Sequence, residues 1–148
     1  IRDRLRSRGL GDVYKRQSGA LRDRLIDKGY DDETVAAVVD RLIEVGLVDD
    51  ESYAQSAVRY CVGRLMGYRG AVMELARKGV DRPLAERVCD EARMSGVFED
   101  AAWELGRRSA AKTQGMDPKV RKRRFWSSGG RKGHDAETLR AIAHELFD

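Results

Sequence analysis

Leu25-Ile26-Asp27-Lys28-Gly29-Tyr30-Asp31 returns fifty residues later as Leu75-Ala76-Arg77-Lys78-Gly79-Val80-Asp81, and a weaker copy follows as Arg131-Lys132-Gly133-His134-Asp135. Each copy reads as a helix end, a turn and a helix start. The lysine favours the negative end of a helix dipole, the glycine takes the left-handed conformation that closes a helix, and the aspartate caps the next one. Downstream of the first copy, Val35, Val38, Val39 and Leu42 recur at three- and four-residue spacing; downstream of the second, Leu84, Ala85, Val88, Cys89 and Ala92 do the same. The pattern predicts an all-α chain of tandem three-helix, helix-turn-helix-like repeats. Such arrays present binding surfaces more often than catalytic pockets.

Working outward, the first patterned helix is expected over 19–27, and Gly29 closes it. Asp31 or Asp32 caps a second helix that Gly46 stops. Leu47 and Val48 bridge to Asp49-Asp50-Glu51, acids suited to the start of a third helix, which carries Tyr53, Ala54, Ala57, Val58 and Cys61 toward Met66. Gly67 and Gly70 punctuate before Val72 and Leu75 restart the pattern, and Asp81 caps a helix ending near Gly96. In the last third, Asp117-Pro118 opens a helix that meets Ser127-Ser128-Gly129-Gly130, poor helix material. Gly129 holds the place of Leu25 and Leu75, so a core leucine is missing and a shortened middle helix is expected. The division is 1–18, a basic arm or atypical cap; 19–46, a first, incomplete unit; 47–96, a second unit; and 97–148, a third.

The chain has 148 residues, 41% of them apolar and 36% charged, with a formal net charge of +4. The charge is segregated: between Ser18 and Tyr60 five basic residues face ten acidic ones, whereas the remainder is basic. That distribution suits a protein that meets an acidic partner with one face. No apolar run approaches the roughly 20 residues of a membrane helix, and no export signal is visible. Cys61 and Cys89 fall in apolar helical registers as buried, reduced thiols, which points to a cytoplasmic protein.

Catalytic signals are sparse. His134 and His144 lie apart, no Cys/His cluster has metal-ligand spacing, and no phosphate-binding glycine loop is present, so neither an enzyme nor a cofactor is expected. Asp49 and Asp50 read as caps that also steady the junction between units by accepting amide hydrogens. Basic side chains carry more information. Arg59, Arg64 and Arg69 lie along and past the third helix, Arg77 and Lys78 end the next, and Arg107, Arg108 and Lys112 lie near one face of the long helix of the last unit. Lys119, Arg121, Lys122, Arg123 and Arg124 form the densest run, readable as phosphate-facing or as a solvated face. Lys28, Lys78 and Lys132, each before a turn glycine, are explained by local stabilisation. Tyr53, Tyr60, Tyr68, Trp103 and Trp126 are candidate stacking platforms for single-stranded bases; of these, Tyr53 and Trp103 fit the core, and Tyr68, between two glycines beside Arg69, is the expected exposed ring.

The order Gly46-Leu47-Val48-Asp49-Asp50-Glu51-Ser52-Tyr53-Ala54, then Val58-Arg59, then Gly70 and Glu74-Leu75-Ala76-Arg77-Lys78-Gly79-Val80, resembles the central signature of the RecX family. The resemblance implies three tandem units in an elongated, curved, monomeric, cytoplasmic protein. It also implies a non-enzymatic modulator, usually an inhibitor, of the recombinase RecA. Such a protein binds the RecA filament on single-stranded DNA, with weak affinity for bare DNA, and restrains ATP hydrolysis, strand exchange and the SOS response. Carried onto this chain, Gly29, Leu47, Asp49, Asp50, Tyr53, Ala54 and Gly79 are structural. Arg59, Arg64, Arg69, Arg77 and Lys78 belong to the binding face, extended by Arg107, Arg108, Arg121 and Arg124. The chain departs from the family before Gly19, where a helix of the first unit is missing, and at 126–130. A second reading is a protein acting directly on DNA through its helix-turn-helix-like units, and a third is a helical adaptor for another protein.

Overall fold

The computed structural model describes residues 18–44 and 48–148; the arm at 1–17, Gly46 and Leu47 lie outside the described residues. Eight helices and no strands are present among them: α1 (Ser18–Asp27), α2 (Asp32–Glu44), α3 (Asp50–Gly63), α4 (Tyr68–Arg77), α5 (Arg82–Met94), α6 (Val97–Lys112), α7 (Pro118–Arg131) and α8 (Ala136–Phe147).

The recurring turn is the same object three times. Gly29, Gly79 and Gly133 have φ of 95°, 90° and 86°. The residue after each glycine donates its N–H to a carbonyl five residues back: Tyr30 to Leu25 (3.3 Å), Val80 to Leu75 (3.0 Å) and His134 to Gly129 (3.0 Å). This Schellman closure satisfies helix-end carbonyls and needs a left-handed residue, which glycine supplies without a Cβ clash. Asp31 and Asp135 then cap α2 and α8 through the N–H groups of Thr34 (2.7 Å) and Thr138 (2.8 Å). Asp81 stands at the same place before α5, but its carboxylate makes no capping bond and Pro83 supplies the pre-set first turn instead.

Burial follows the pattern. Leu21, Val35, Val39 and Val48 form a small cluster with α1 and α2; a larger one joins α3, α4 and α5 around Cys61, Leu75, Val88 and Cys89; a third joins α6, α7 and α8 around Phe125, Leu139 and Ile142. Phe98, on α6, is buried in the middle cluster, while Leu65, after α3, packs against the last one, so the two interlock. Fully burying a side chain such as Leu139 or Ile142 contributes about 1.5–3 kcal/mol.

α7 corrects two expectations. It runs unbroken from Pro118 to Arg131 through Ser127, Ser128, Gly129 and Gly130, and the missing leucine leaves no hole. A Cβ on Gly129 would strike both δ-methyls of Leu139, which is 2% exposed. By the turn register, Gly129 and Leu139 are the counterparts of Leu75 and Ala85, both fully buried in the middle cluster. The bulk has crossed from one helix to the other. α3 also stops at Gly63, short of Met66, because Leu65 takes φ 61° and Met66 donates to the Cys61 carbonyl (3.0 Å). Gly70, expected as punctuation, lies inside α4.

Neighbouring units meet through the turns. Ser18, at the start of α1, donates its N–H (2.5 Å) and Oγ (2.6 Å) to the Asp50 carboxylate of α3. The start of α4 stands closer still to the turn between α7 and α8. The Gly67 N–H donates to the Lys132 carbonyl (2.8 Å), and a Cβ on Gly70 or Gly133 would collide with backbone across the joint. Lys132 Nζ donates to the Arg64 carbonyl (2.8 Å). His134, 6% exposed, stands 2.8 Å from the Leu65 carbonyl. Since that oxygen only accepts, Nε2 of His134 carries the proton.

Candidate functional site

The joint between the middle and last clusters opens a groove of about 490 Å³ whose wall includes Arg64, Leu65, Arg108, Lys112, Thr113, Arg124 and Lys132. A second hollow of about 490 Å³ adjoins it, sharing Arg64, Ser128 and Lys132 and adding Tyr60, Glu74, Arg77 and Arg131. Together they carry seven cationic side chains and one carboxylate. That carboxylate, Glu74, is bound by the Arg77 guanidinium through two bonds (2.5 and 3.1 Å), which hold it below the usual carboxylate range. Arg108 is shared with Glu104 (3.0 Å), whereas neither Lys112 nor Arg124 has a carboxylate in ion-pair range among the described residues. Exposed ion pairs contribute little to stability, so these groups are available to an outside anion at small cost.

Helix ends aim these groups. Arg64 caps α3, Lys132 caps α7, Lys112 closes α6, and Arg108 stands one turn before it. Arg124 lies mid-way along α7, one residue from buried Phe125, so it faces away from the core. Lys78 sits beside the second hollow, with Nζ 5.0 Å from the Tyr60 ring centroid.

Of the ten basic residues singled out from sequence, Arg64, Arg77, Arg108, Lys112 and Arg124 line the two hollows, with Lys78 at the edge. The others stand elsewhere. Arg59 bonds Ser56 (2.9 Å) and lines a shallow hollow against α5. Arg69 is exposed in the first turn of α4, and Arg107 is held by Glu104 (3.2 Å). Arg121 is turned inward, donating to Thr113 Oγ1 (3.1 Å) and the Ala110 carbonyl (3.0 Å) with its guanidinium 5.1 Å from the Phe147 ring, so it ties α7 to α6 and α8. Among the structural residues, Asp49 caps α3 through the Ser52 N–H (3.0 Å), Asp50 joins α3 to α1, Ala54 is fully buried, and Tyr53 packs beside it.

No family model matches the chain. It is 36% identical over 135 residues to the regulatory protein RecX of Thermobifida fusca (strain YX), a match covering 88% of this chain and 71% of that protein. The chain belongs to the RecX family. The regulatory protein RecX of Mycobacterium sp. (strain JLS) is 48% identical over 69 residues, which span 45% of this chain and 37% of that protein. The fold is that of the crystal structure of RecX from Lactobacillus salivarius, with a TM-score of 0.79 at 19% identity over 99% of this chain and 98% of that one.

Two residues of this RecX groove, Lys132 and Arg131, were not singled out as site residues from sequence. Lys132 was explained by its helix end, yet it reaches across the joint; its equivalence to Lys78 in the repeat was the signal available. The same register pairs Arg131 with Arg77, so the repeat carried its signal too. Tyr60 is the exposed ring of the groove, 53% accessible, whereas Tyr68 lies half-buried, edge-on to Phe98 (6.1 Å, 87°) beneath Arg93 (4.0 Å). Among the described residues no group of three or more His, Cys, Asp or Glu is placed to hold a metal ion, and no helix is long and apolar enough to cross a membrane.

Proposed function

We propose that this chain is a non-enzymatic modulator of the RecA recombinase. As a monomer in the cytoplasm, it lays the groove between its second and third units against the RecA filament on single-stranded DNA. The observation that carries the reading is seven cations around one neutralised carboxylate, gathered at a joint between helical units in a chain of the RecX family. A polyanionic filament is the partner such a surface fits. Units over 19–46, 47–96 and 97–148 would contact successive subunits, and a chain that bridges subunits resists the movements accompanying ATP hydrolysis and strand exchange. Inhibition, and with it a damped SOS response, is the expected direction.

The test is single-stranded-DNA-dependent ATP hydrolysis by RecA during titration with this protein. Suppression at well below one molecule per recombinase supports filament binding over competition for DNA. Reversing Arg64, Lys112 and Arg124 together to glutamate should abolish the effect without unfolding the chain, as all three are exposed. Unchanged inhibition by that variant would remove the groove from the mechanism. Tight binding to bare duplex DNA with no effect on RecA would favour direct action on DNA.

A further inference from the structure

The cationic groove contains one exposed aromatic ring. Tyr60, in the last turn of α3, is 53% accessible and lines the second hollow with Arg64, Arg77, Arg131 and Lys132. Its hydroxyl accepts a hydrogen bond from Arg64 (3.2 Å), whose guanidinium stands 5.6 Å from the ring centroid. Lys78 stands 5.0 Å from the same centroid. The other strongly exposed tyrosine among the described residues, Tyr30, is followed by Asp31, Asp32 and Glu33, surroundings that repel an anion. A large ring left half in water between cations contributes little to the fold, about 0.5–1 kcal/mol for an exposed cation–π contact. Its placement fits a ligand that offers a flat apolar face and negative charge together.

We infer that the Tyr60 ring stacks an unpaired base of a single nucleic-acid strand whose phosphates run past Lys132 toward Arg124, Lys112 and Arg108. The inference rests on the filament reading and names the part of the filament that this groove touches. A single strand supplies both elements, since every base has a stackable face and every linkage a charge. A duplex hides its base faces, and an acidic peptide without aromatic residues has no flat face to set on the tyrosine. The geometry also orders the contact: the base at Tyr60 lies in the hollow between α3, α4 and α7, and the phosphates follow into the hollow between α3, α6 and α7.

The test uses fluorescence anisotropy of a labelled 15-nucleotide oligo-dT strand, an abasic strand of the same length, and a poly-glutamate peptide. Tyr60→Ala should weaken oligo-dT binding about tenfold, the loss of one stacked base. It should leave the abasic strand unaffected, and Tyr60→Phe should restore binding. Three or four neutralised phosphates give a slope of about −2 to −3 for log affinity against log salt. Tyr60→Ala should leave that slope alone, whereas Arg124→Ala should flatten it. Unchanged oligo-dT binding by Tyr60→Ala, or equal loss on the abasic strand, overturns the inference, as does a peptide that binds as tightly as oligo-dT and is indifferent to Tyr60. The same variants assayed on RecA separate the two claims. Modulation of RecA by a chain whose DNA binding ignores Tyr60 sinks the stacking and keeps the filament reading. Tyr60-dependent DNA binding with no effect on RecA does the reverse.

Discussion

The exchange of bulk between α7 and α8 can be tested by reversing it. Gly129→Leu alone forces a side chain into space that the δ-methyls of Leu139 already occupy. Overpacking costs about 1–3 kcal/mol, and a whole leucine belongs at or above the top of that range. Replacing a helix-interior glycine returns at most about 1 kcal/mol. Leu139→Ala alone empties a site that is 2% exposed beside fully buried Phe125 and Ile142, which costs about 2–5 kcal/mol. The double variant Gly129→Leu/Leu139→Ala reproduces the Leu75/Ala85 arrangement of the middle cluster. The single costs sum to about 4–7 kcal/mol, and a favourable coupling of about 2–3 kcal/mol should leave the double variant clearly less destabilised than that sum.

The assay is urea denaturation followed by tryptophan fluorescence. Both tryptophans, Trp103 and Trp126, pack against the last cluster, so the signal reports that cluster rather than the whole array. Additive destabilisation in the double variant would refute the exchange. It would mean that Gly129 is required by helix approach itself rather than by the leucine opposite.

Three further outcomes follow from local geometry. His134 is buried at the joint, and desolvation, reinforced by Lys132 and opposed by its bond to the Leu65 carbonyl and by Asp135, lowers its pKa below the ordinary 6.5. A folded state that takes up the proton less readily than the unfolded one loses stability as pH falls below about 6.5, so urea midpoints should drop from pH 7.5 to 5.5 and His134→Gln should flatten that fall. Gly67→Ala places a Cβ 2.6 Å from the Gly133 carbonyl oxygen, backbone against backbone, and should cost about 2 kcal/mol or more, read as faster amide hydrogen exchange on both sides of the joint. Cys61 and Cys89 are fully buried and burial pushes the Cys89 thiol up to about 12, so neither should react with iodoacetamide at pH 8 until urea unfolds the chain.

What could be read from sequence divides along a physical line. Local devices were legible. The three Lys-Gly turns, the caps at Asp31, Asp49 and Asp117, and the apolar faces carrying Val35 and Val88 depend on residues within one turn of each other. Long-range compensation was not. Nothing within α7 reveals that Gly129 is filled by Leu139, because the filling atoms belong to another helix. The same holds for Arg121, which looks like its charged neighbours but faces inward, and for Tyr60 and Tyr68, whose exposures depend on whether Phe98 and Arg93 arrive to cover them. Spacing finds cations on one helix; only the joint decides which cations from α3, α4, α6 and α7 converge.

That dependence gives the turn a double role. Gly133 closes α7 and, lacking a side chain, lets the start of α4 approach; Lys132 beside it contributes its carbonyl to Gly67, its ammonium to Arg64 and its charge to the groove. A groove assembled between units is only as fixed as the joint, so a substitution there should alter binding without touching a cation. Gly70→Ala is the sharpest case. Its Cβ would meet the Lys132 carbonyl, which belongs to backbone and cannot swing aside, so the α7–α8 turn must move away from α4. The separation of Arg64 from Arg108 and Arg124 would grow while each helix kept its own core. Weakened oligo-dT binding in a Gly70→Ala variant still folded under the assay conditions, as read by tryptophan-detected urea denaturation, would show that the joint, rather than the charge count, sets the surface. Intact binding in a folded Gly70→Ala variant would show that the cations act independently of how the units are joined.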